Sequence, residues 1–110
     1  MNINRFQPHV LVLPEDDANR QIAVGFRLDP SLESRRIRVL PVAGGWTNVL
    51  ETFLSDHVVE MERHPDRFMV LLIDLDGREH RLNHAKAKIP PHVSERVFIL
   101  GALTEPEASK

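Results

Sequence analysis

The chain has 110 residues, of which 42% are hydrophobic and 27% are charged, and its formal net charge is −2. This composition is typical of a single globular domain. The small negative charge excludes a global attraction to nucleic acid, so any binding of nucleic acid would need a local basic patch. The absence of cysteine excludes disulfides and thiolate metal sites. We expect one cytoplasmic domain over residues 1–110, without a membrane span or a signal peptide.

Four short apolar runs predict the strands of a sheet. The first, third and fourth show little polar alternation, so we expect both faces of the sheet to be covered, as in a parallel sheet. The runs read HVLVLP, IRVLPVA, FMVLLIDL and VFILGAL and occupy residues 9–14, 37–43, 68–75 and 97–103.

Helical periodicity predicts a first helix between the first two runs. Ile22, Ala23 and Phe26 have near-helical spacing in this segment. Asp16 or Asp17 can cap the helix by accepting hydrogen bonds from the free N–H groups of its first turn.

The segment after the second run is the clearest helix, because it carries one apolar stripe. Thr47 or Asn48 is expected to cap its start, and Pro65 to end it, since proline disfavours the helical conformation of the residue before it. A weaker third helix is expected over residues 78–88. The stripe consists of Val49, Leu50, Phe53, Leu54, Val58 and Met61.

This alternation of strands and helices favours an α/β fold with a four-stranded, mainly parallel sheet flanked by helices, its core covering residues 9–107. We predict the strand order 2-1-3-4. Ligands of such sheets bind beyond the carboxyl ends of the strands. The acidic residues of the chain cluster at two such ends: Glu15, Asp16 and Asp17 follow the first strand, and Asp74 and Asp76 end the third.

Carboxylates that converge at one edge repel one another, and a hard divalent cation such as Mg²⁺ removes that repulsion. Local backbone chemistry is the alternative. Asp-x-Asp-Gly also forms a favourable turn after a strand, and acidic residues after the first strand also suit a helix N-terminus. The residues alone leave both interpretations open.

Two other features are candidates for contact with phosphate. Gly44 and Gly45 would let the backbone approach an anionic group near a helix N-terminus, or would simply form a tight turn. Arg35, Arg36 and Arg38 form the densest basic cluster, although such clusters usually solvate a surface.

An aromatic residue and two histidines complete the candidates. Trp46 is expected to be buried against the sheet, with stacking on a nucleobase as the alternative. His80 and His84 are four residues apart, so one helical face could present both to Zn²⁺, but a solvated helix face is favoured.

The glutamate after strand one, the glycine turn after strand two and the Asp-x-Asp of strand three together resemble the TOPRIM domain. This domain is the catalytic module of topoisomerases, bacterial primases and OLD-family nucleases. The stretch RVLPVAGGWTNVLETF looks like the OLD-type branch in particular. The resemblance implies that Glu15 is a metal ligand or general acid/base, and that Asp74 and Asp76 bind Mg²⁺ or Mn²⁺. Glu105 and Glu107 match acidic residues after the last strand and are weaker candidates.

The implied activity is hydrolysis or transfer of phosphodiester bonds in nucleic acid. OLD-type enzymes join this domain to an ATPase, and no phosphate-binding GxxxxGK[ST] motif occurs here. A partner protein, such as a separate ATPase chain, is therefore expected. The alternative is a catalytically inactive interaction module, since Asp16 stands where the family has glycine and Asn19 where it has an acid.

The response-regulator receiver domain is the competing resemblance. Asp16 and Asp17 would then be Mg²⁺ ligands and Asp74 the phosphoacceptor. This interpretation ranks second, because the gap from Asp17 to Asp74 is long and a fifth strand with its closing lysine is missing.

Overall fold

The computed structural model describes residues 8–27, 36–74 and 79–102. Four of the residues singled out above lie outside these ranges: Arg35, Asp76, Glu105 and Glu107.

The four predicted strands form one parallel sheet with the order β2-β1-β3-β4, which confirms the predicted fold class and strand order. The second strand is shorter than predicted, and the N–H of Leu40, which donates to the carbonyl of Val12 at 2.8 Å, continues the pairing by one bond beyond it. The next hydrogen bond to β1 is donated by Ala43, whose N–H bonds to the carbonyl of Pro14 at 3.0 Å. The strands are β1 (His9–Pro14), β2 (Ile37–Val39), β3 (Arg67–Asp74) and β4 (Val97–Ala102).

Helices connect the strands where the sequence predicted them. α1 covers Asp17–Arg27 and α4 covers Glu79–Lys88. Between them, α2 (Trp46–Thr52), a π-helical segment (Phe53–His57) and α3 (Val58–Arg63) follow one another directly.

The start of α2 differs from the prediction that Thr47 or Asn48 caps it. The N-cap is Gly45, and no side chain caps it. The side-chain amide of Asn48 donates to the carbonyl of Gly44 at 3.2 Å. At the other end, His64 leaves the helical conformation directly before Pro65, as predicted.

The main core lies on one face of the sheet, against α2, α3 and α4. The predicted apolar stripe is buried except for Leu54, which is exposed. The π-helical segment explains this difference, because a π turn places residues five apart on one face, here Phe53 and Val58. The largest buried side chains of this core are Phe53, Met61, Met69, Leu71 and Ile73.

The other face carries a smaller core, in which α1 packs over β1 and β2. Ala23 is buried there beside Val12 and Leu72. Ile22, which shares the helical spacing of Ala23, is exposed; the buried residue one turn before Ala23 is Asn19, which is only 3% exposed.

The same face is open over β3 and β4 in the described part of the chain. Phe98 is 49% exposed and Leu100 is 50% exposed. Residues 8–27, 36–74 and 79–102 thus do not provide the expected cover over this half of the sheet. Phe98 instead stacks on Phe68, with ring centroids 6.4 Å apart. Within the described ranges, no helix is long and apolar enough to cross a membrane.

Candidate functional site at the carboxyl edge of the sheet

The strand order brings the acidic ends of β1 and β3 together. Pro14 lies beside Leu72 in the register, and the N–H of Glu15 donates to the carbonyl of Leu72 at 2.9 Å. The Glu15 side chain then reaches forward along β3, where its Oε1 accepts a hydrogen bond from the N–H of Asp74 at 2.6 Å. Two of the predicted site residues are thus in direct contact.

This contact commits one carboxylate oxygen of Glu15 to the backbone. A hydrogen bond to an ionised carboxylate is stronger than one between neutral groups, and this bond is partly buried. An ionised carboxylate has about four acceptor positions on its two oxygens. Glu15 therefore fastens the end of β3 and still has acceptor capacity for a cation or a proton.

Asp74 projects from the last position of β3. Since successive side chains of a strand alternate between faces, Asp74 lies on the same side of the sheet as Leu72, the side that α1 covers. Its backbone carbonyl accepts a hydrogen bond from Nη1 of Arg81 at 2.7 Å. Both backbone groups of Asp74 are thus held by side chains from other elements.

The glycine turn before α2 bonds to the same strand end. The N–H groups of Gly44 and Gly45 donate to the carbonyl of Glu15 at 2.9 and 3.3 Å. Both glycines have positive φ values, 91° and 139°. These donors are used within the chain, as in the tight-turn interpretation; a contact with phosphate stays a prediction.

The acidic residues after Glu15 serve the start of α1. Oδ1 of Asp16 accepts a hydrogen bond from the N–H of Asn19 at 2.9 Å, which confirms the predicted cap. Asp17 accepts from Nε2 of Gln21 at 2.8 Å and lies 3.9 Å from the guanidinium of Arg20. The buried Nδ2 of Asn19 has no hydrogen-bond partner in the described part of the chain.

Beside this edge, Trp46 contacts the side chains of Arg81 and His84, a group that sequence reasoning did not assemble. The guanidinium of Arg81 lies 5.3 Å from the ring centroid of Trp46. The ring of His84 meets Trp46 edge-on, with centroids 5.4 Å apart and an interplanar angle of 80°. Arg81 and His84 lie three residues apart in the helix predicted after strand three, which makes them neighbours on its surface. This spacing was the sequence signal that could have placed them in one group.

The backbone of Arg36 and Arg38, the two described residues of the basic cluster, lies away from this edge. Arg38 lies beside Leu11 in the register, four residues before Glu15, which corresponds to about 13 Å along a strand. Arg36 lies farther back and, like Arg38, is exposed. Their contact with nucleic acid stays a prediction.

Within residues 8–27, 36–74 and 79–102, no group of three or more His, Asp or Glu could hold a metal ion. Asp76 lies outside these ranges, so the predicted set of Glu15, Asp74 and Asp76 is described only in its first two members. Comparison with protein families, curated proteins and solved structures finds no match. What the protein does must therefore be inferred from its own residues.

Proposed function

We propose that the carboxyl edge binds Mg²⁺ or Mn²⁺ through Glu15, Asp74 and Asp76, and that the domain hydrolyses or transfers phosphodiester bonds of nucleic acid. The observation that carries the proposal is the 2.6 Å hydrogen bond between the Glu15 side chain and the Asp74 backbone. It joins the two acidic strand ends in the strand order that the metal site needs. That the two carboxylates lie about 4–7 Å apart stays a prediction.

The donor set fits a hard cation. Carboxylate oxygens are the ligands that Mg²⁺ prefers, and it keeps several waters that a substrate phosphate can replace. Glu15 offers the acceptor positions that its bond to Asp74 leaves, and Asp74 offers its own carboxylate. The cation would supply stabilisation of the charge that develops on phosphate oxygens.

The chain's own residues give this edge its rigidity. Arg81 holds the carbonyl of Asp74, Glu15 holds the N–H, and the glycine turn holds the carbonyl of Glu15. A site held by several backbone contacts keeps its ligands in place before the substrate arrives. Glu15, as the carboxylate between two strands, is the candidate for proton transfer.

A catalytically inactive interaction module is the second candidate. It is favoured by the same hydrogen bonds, because Glu15 Oε1 and the two glycine N–H groups already have partners within the chain. The receiver interpretation is less favoured, since Asp16 and Asp17, its expected Mg²⁺ ligands, bond to the first turns of α1. The proposal includes a cytoplasmic location and a partner chain with ATPase activity.

Thermal melts test the metal site without a substrate. A cation at ten times its Kd stabilises a native state by about 1.4 kcal/mol, or a few degrees in Tm for a domain of this size. We expect Mg²⁺ or Mn²⁺ to raise the Tm of the wild type relative to EDTA. Asp76→Asn should raise the Tm in EDTA, by relieving repulsion, and should reduce the response to metal. Glu95→Gln, an exposed change beside the amino end of β4, is the matched control.

Equal metal responses in wild type and Asp76→Asn would contradict the site. A turn role for Asp76 gives that result, because asparagine makes the same turn bonds. Treatment with acetyl phosphate and Mg²⁺ separates the receiver, which would form an acid-labile phosphate on Asp74. Nicking of DNA in Mn²⁺, lost in Asp74→Ala, would establish the proposed activity.

A further inference from the structure

Trp46, Arg81 and His84 form a group of flat side chains at the carboxyl edge, here called the stacked group. Trp46 and Arg81 are half-buried, and His84 is exposed. Trp46 packs against the main core, so the edge of that core fixes the position of its ring. The group therefore combines a fixed indole with a cation and an accessible imidazole.

Two backbone contacts place the stacked group beside the candidate metal site. Trp46 directly follows Gly45, whose N–H donates to the carbonyl of Glu15, and Nη1 of Arg81 donates to the carbonyl of Asp74. The stacked group is thus attached to both strand ends that carry the acidic residues.

One donor of the stacked group lacks a partner. Nε of Arg81 is buried and has no hydrogen-bond partner in the described ranges. Because Nε is covered, an acceptor carried by a ligand would bond to the terminal nitrogens of this guanidinium, beside the bond that Nη1 makes to the carbonyl of Asp74. Cation–π contact with Trp46 holds the guanidinium over the indole ring, 5.3 Å from its centroid.

We propose that the stacked group binds one nucleobase of a single-stranded nucleic acid. A base offers a flat face for the aromatic rings and ring-nitrogen or carbonyl acceptors for Arg81, and such stacking tolerates every base. The formal net charge of −2 means that general attraction to phosphate is weak, so affinity has to come from a local contact such as this one. The proposal rests on the proposed function, since it adds a base contact to the strand ends whose carboxylates would hold the phosphodiester; the base would lie on the main-core side, and the Asp74 side chain lies on the α1 side.

The fluorescence of the protein reports on this subsite alone. Trp46 is the only tryptophan, and the chain has no tyrosine. We would titrate the full chain, in EDTA, with a short single-stranded oligothymidylate and with an abasic oligomer of equal length. We expect saturable quenching by oligothymidylate and affinity about tenfold weaker for the abasic oligomer.

Two histidine variants complete the experiment. His84→Ala removes the accessible ring from the stacked group and should weaken binding of oligothymidylate by about threefold to tenfold. His80→Ala, an exposed change on the same helix, should bind like the wild type. Neither change touches the core, so both variants should fold.

Three results would overturn the subsite: no quenching by oligothymidylate, equal affinity for both oligomers, or equal binding by the two histidine variants. Since EDTA removes divalent cations, the titration does not depend on the metal site. Base-dependent quenching together with an absent metal response in the melts would keep the subsite and remove the proposed chemistry. A metal response in the melts without base-dependent quenching would keep the proposed metal site and remove the subsite.

Discussion

The carboxylate of Glu15 has two roles that substitutions can separate. Its Oε1 accepts the N–H of Asp74, and its remaining acceptor positions are proposed to bind a cation. Glu15→Ala leaves a part-buried N–H without its acceptor, so we expect a loss of about 1–3 kcal/mol in the free energy of unfolding. Glu15→Gln keeps a side-chain oxygen for this N–H and should lose less. Urea unfolding in EDTA measures both variants.

The metal response gives the second half of this comparison. If Glu15 is a ligand, both variants should lose most of the stabilisation by Mn²⁺, although only Glu15→Ala is strongly destabilised in EDTA. A full metal response in Glu15→Gln would restrict Glu15 to its structural role.

The meeting of Glu15 and Asp74 could be predicted from the sequence, because both follow apolar runs and the order 2-1-3-4 makes their strands neighbours. The hydrogen bond itself could not. Whether a glutamate oxygen turns toward a backbone N–H or toward solvent depends on how far each strand extends. That extent is set by contacts such as those of the glycine turn.

At the scale of elements, the turn between β2 and α2 requires glycine at a defined position. Gly45 has φ 139° and ψ 154°, a region that is essentially restricted to glycine. A Cβ there would meet only Nδ2 of Asn48, at 3.9 Å, so the backbone and not a clash opposes substitution. We expect Gly45→Ala to lower the free energy of unfolding by about 1–3 kcal/mol.

Gly25 provides the control of opposite sign. It lies within α1, and a Cβ there would meet nothing within 4 Å. Gly25→Ala should raise the free energy of unfolding by about 0.5–1 kcal/mol, because alanine loses less backbone entropy in a helix. Denaturant unfolding of the two variants gives the comparison, and equal effects would show that the turn is not strained.

Arg96 links the end of α3 to the starts of β3 and β4. Its guanidinium donates to the carbonyls of Met61, His64 and Arg67 at 2.9–3.1 Å, from a half-buried position before β4. Arg96→Met should lower the free energy of unfolding by about 2–3 kcal/mol, since several carbonyls lose a charged donor.

The exposed Arg63 is the matched control, because its ion pair with Glu60 lies on the surface. Arg63→Met should change the free energy of unfolding by less than about 0.5 kcal/mol. Similar losses in the two variants would show that the carbonyl contacts of Arg96 contribute no more than a surface ion pair.

Element boundaries were predictable where one apolar run carries the signal. β1 matches its predicted bounds, β3 begins one residue before its predicted start, and β4 begins where predicted; the predicted ends of β3 and β4, residues 75 and 103, lie outside the described ranges. The π-helical segment was not predictable, because a periodicity of 3.6 places Leu54 and Val58 on one face. Only the packed core shows that Phe53 pairs with Val58.

At the scale of the whole molecule, His57 makes stability depend on pH. Burial lowers the pKa of His57 below its ordinary value of 6.5, and nearby Arg67 acts in the same direction, while Asp56 and Glu60 oppose it. The unfolded chain therefore takes up this proton at higher pH than the native state does. The destabilisation is absent well above pH 6.5 and grows as pH falls from there through the lower folded pKa.

Unfolding by urea between about pH 7.5 and pH 5 measures this dependence. We expect His57→Gln to lose less stability over that range than the wild type. His80→Gln, at an exposed position, should keep the wild-type profile. Equal slopes for all three proteins would show that His57 does not contribute.

The fold class and the strand order could be predicted from the sequence, but the exposure of one face of β3 and β4 in the described part of the chain could not. A run such as VFILGAL reads as buried on both faces, yet Phe98 and Leu100 are half exposed. Hydrophobicity of a strand shows that it suits burial; it does not show which element is placed over it. The candidate site has the same limit, since Arg81 joins it from a helix whose approach depends on packing.

The measurement that most directly tests the account is calorimetric titration of Mn²⁺ into the full chain, with Asp76→Asn and Glu95→Gln as variants. We expect saturable binding to the wild type and to Glu95→Gln, and binding to Asp76→Asn at least about tenfold weaker, because one carboxylate ligand is lost. Absence of binding to the wild type, or equal affinity for all three proteins, would contradict a cation site at the carboxyl edge.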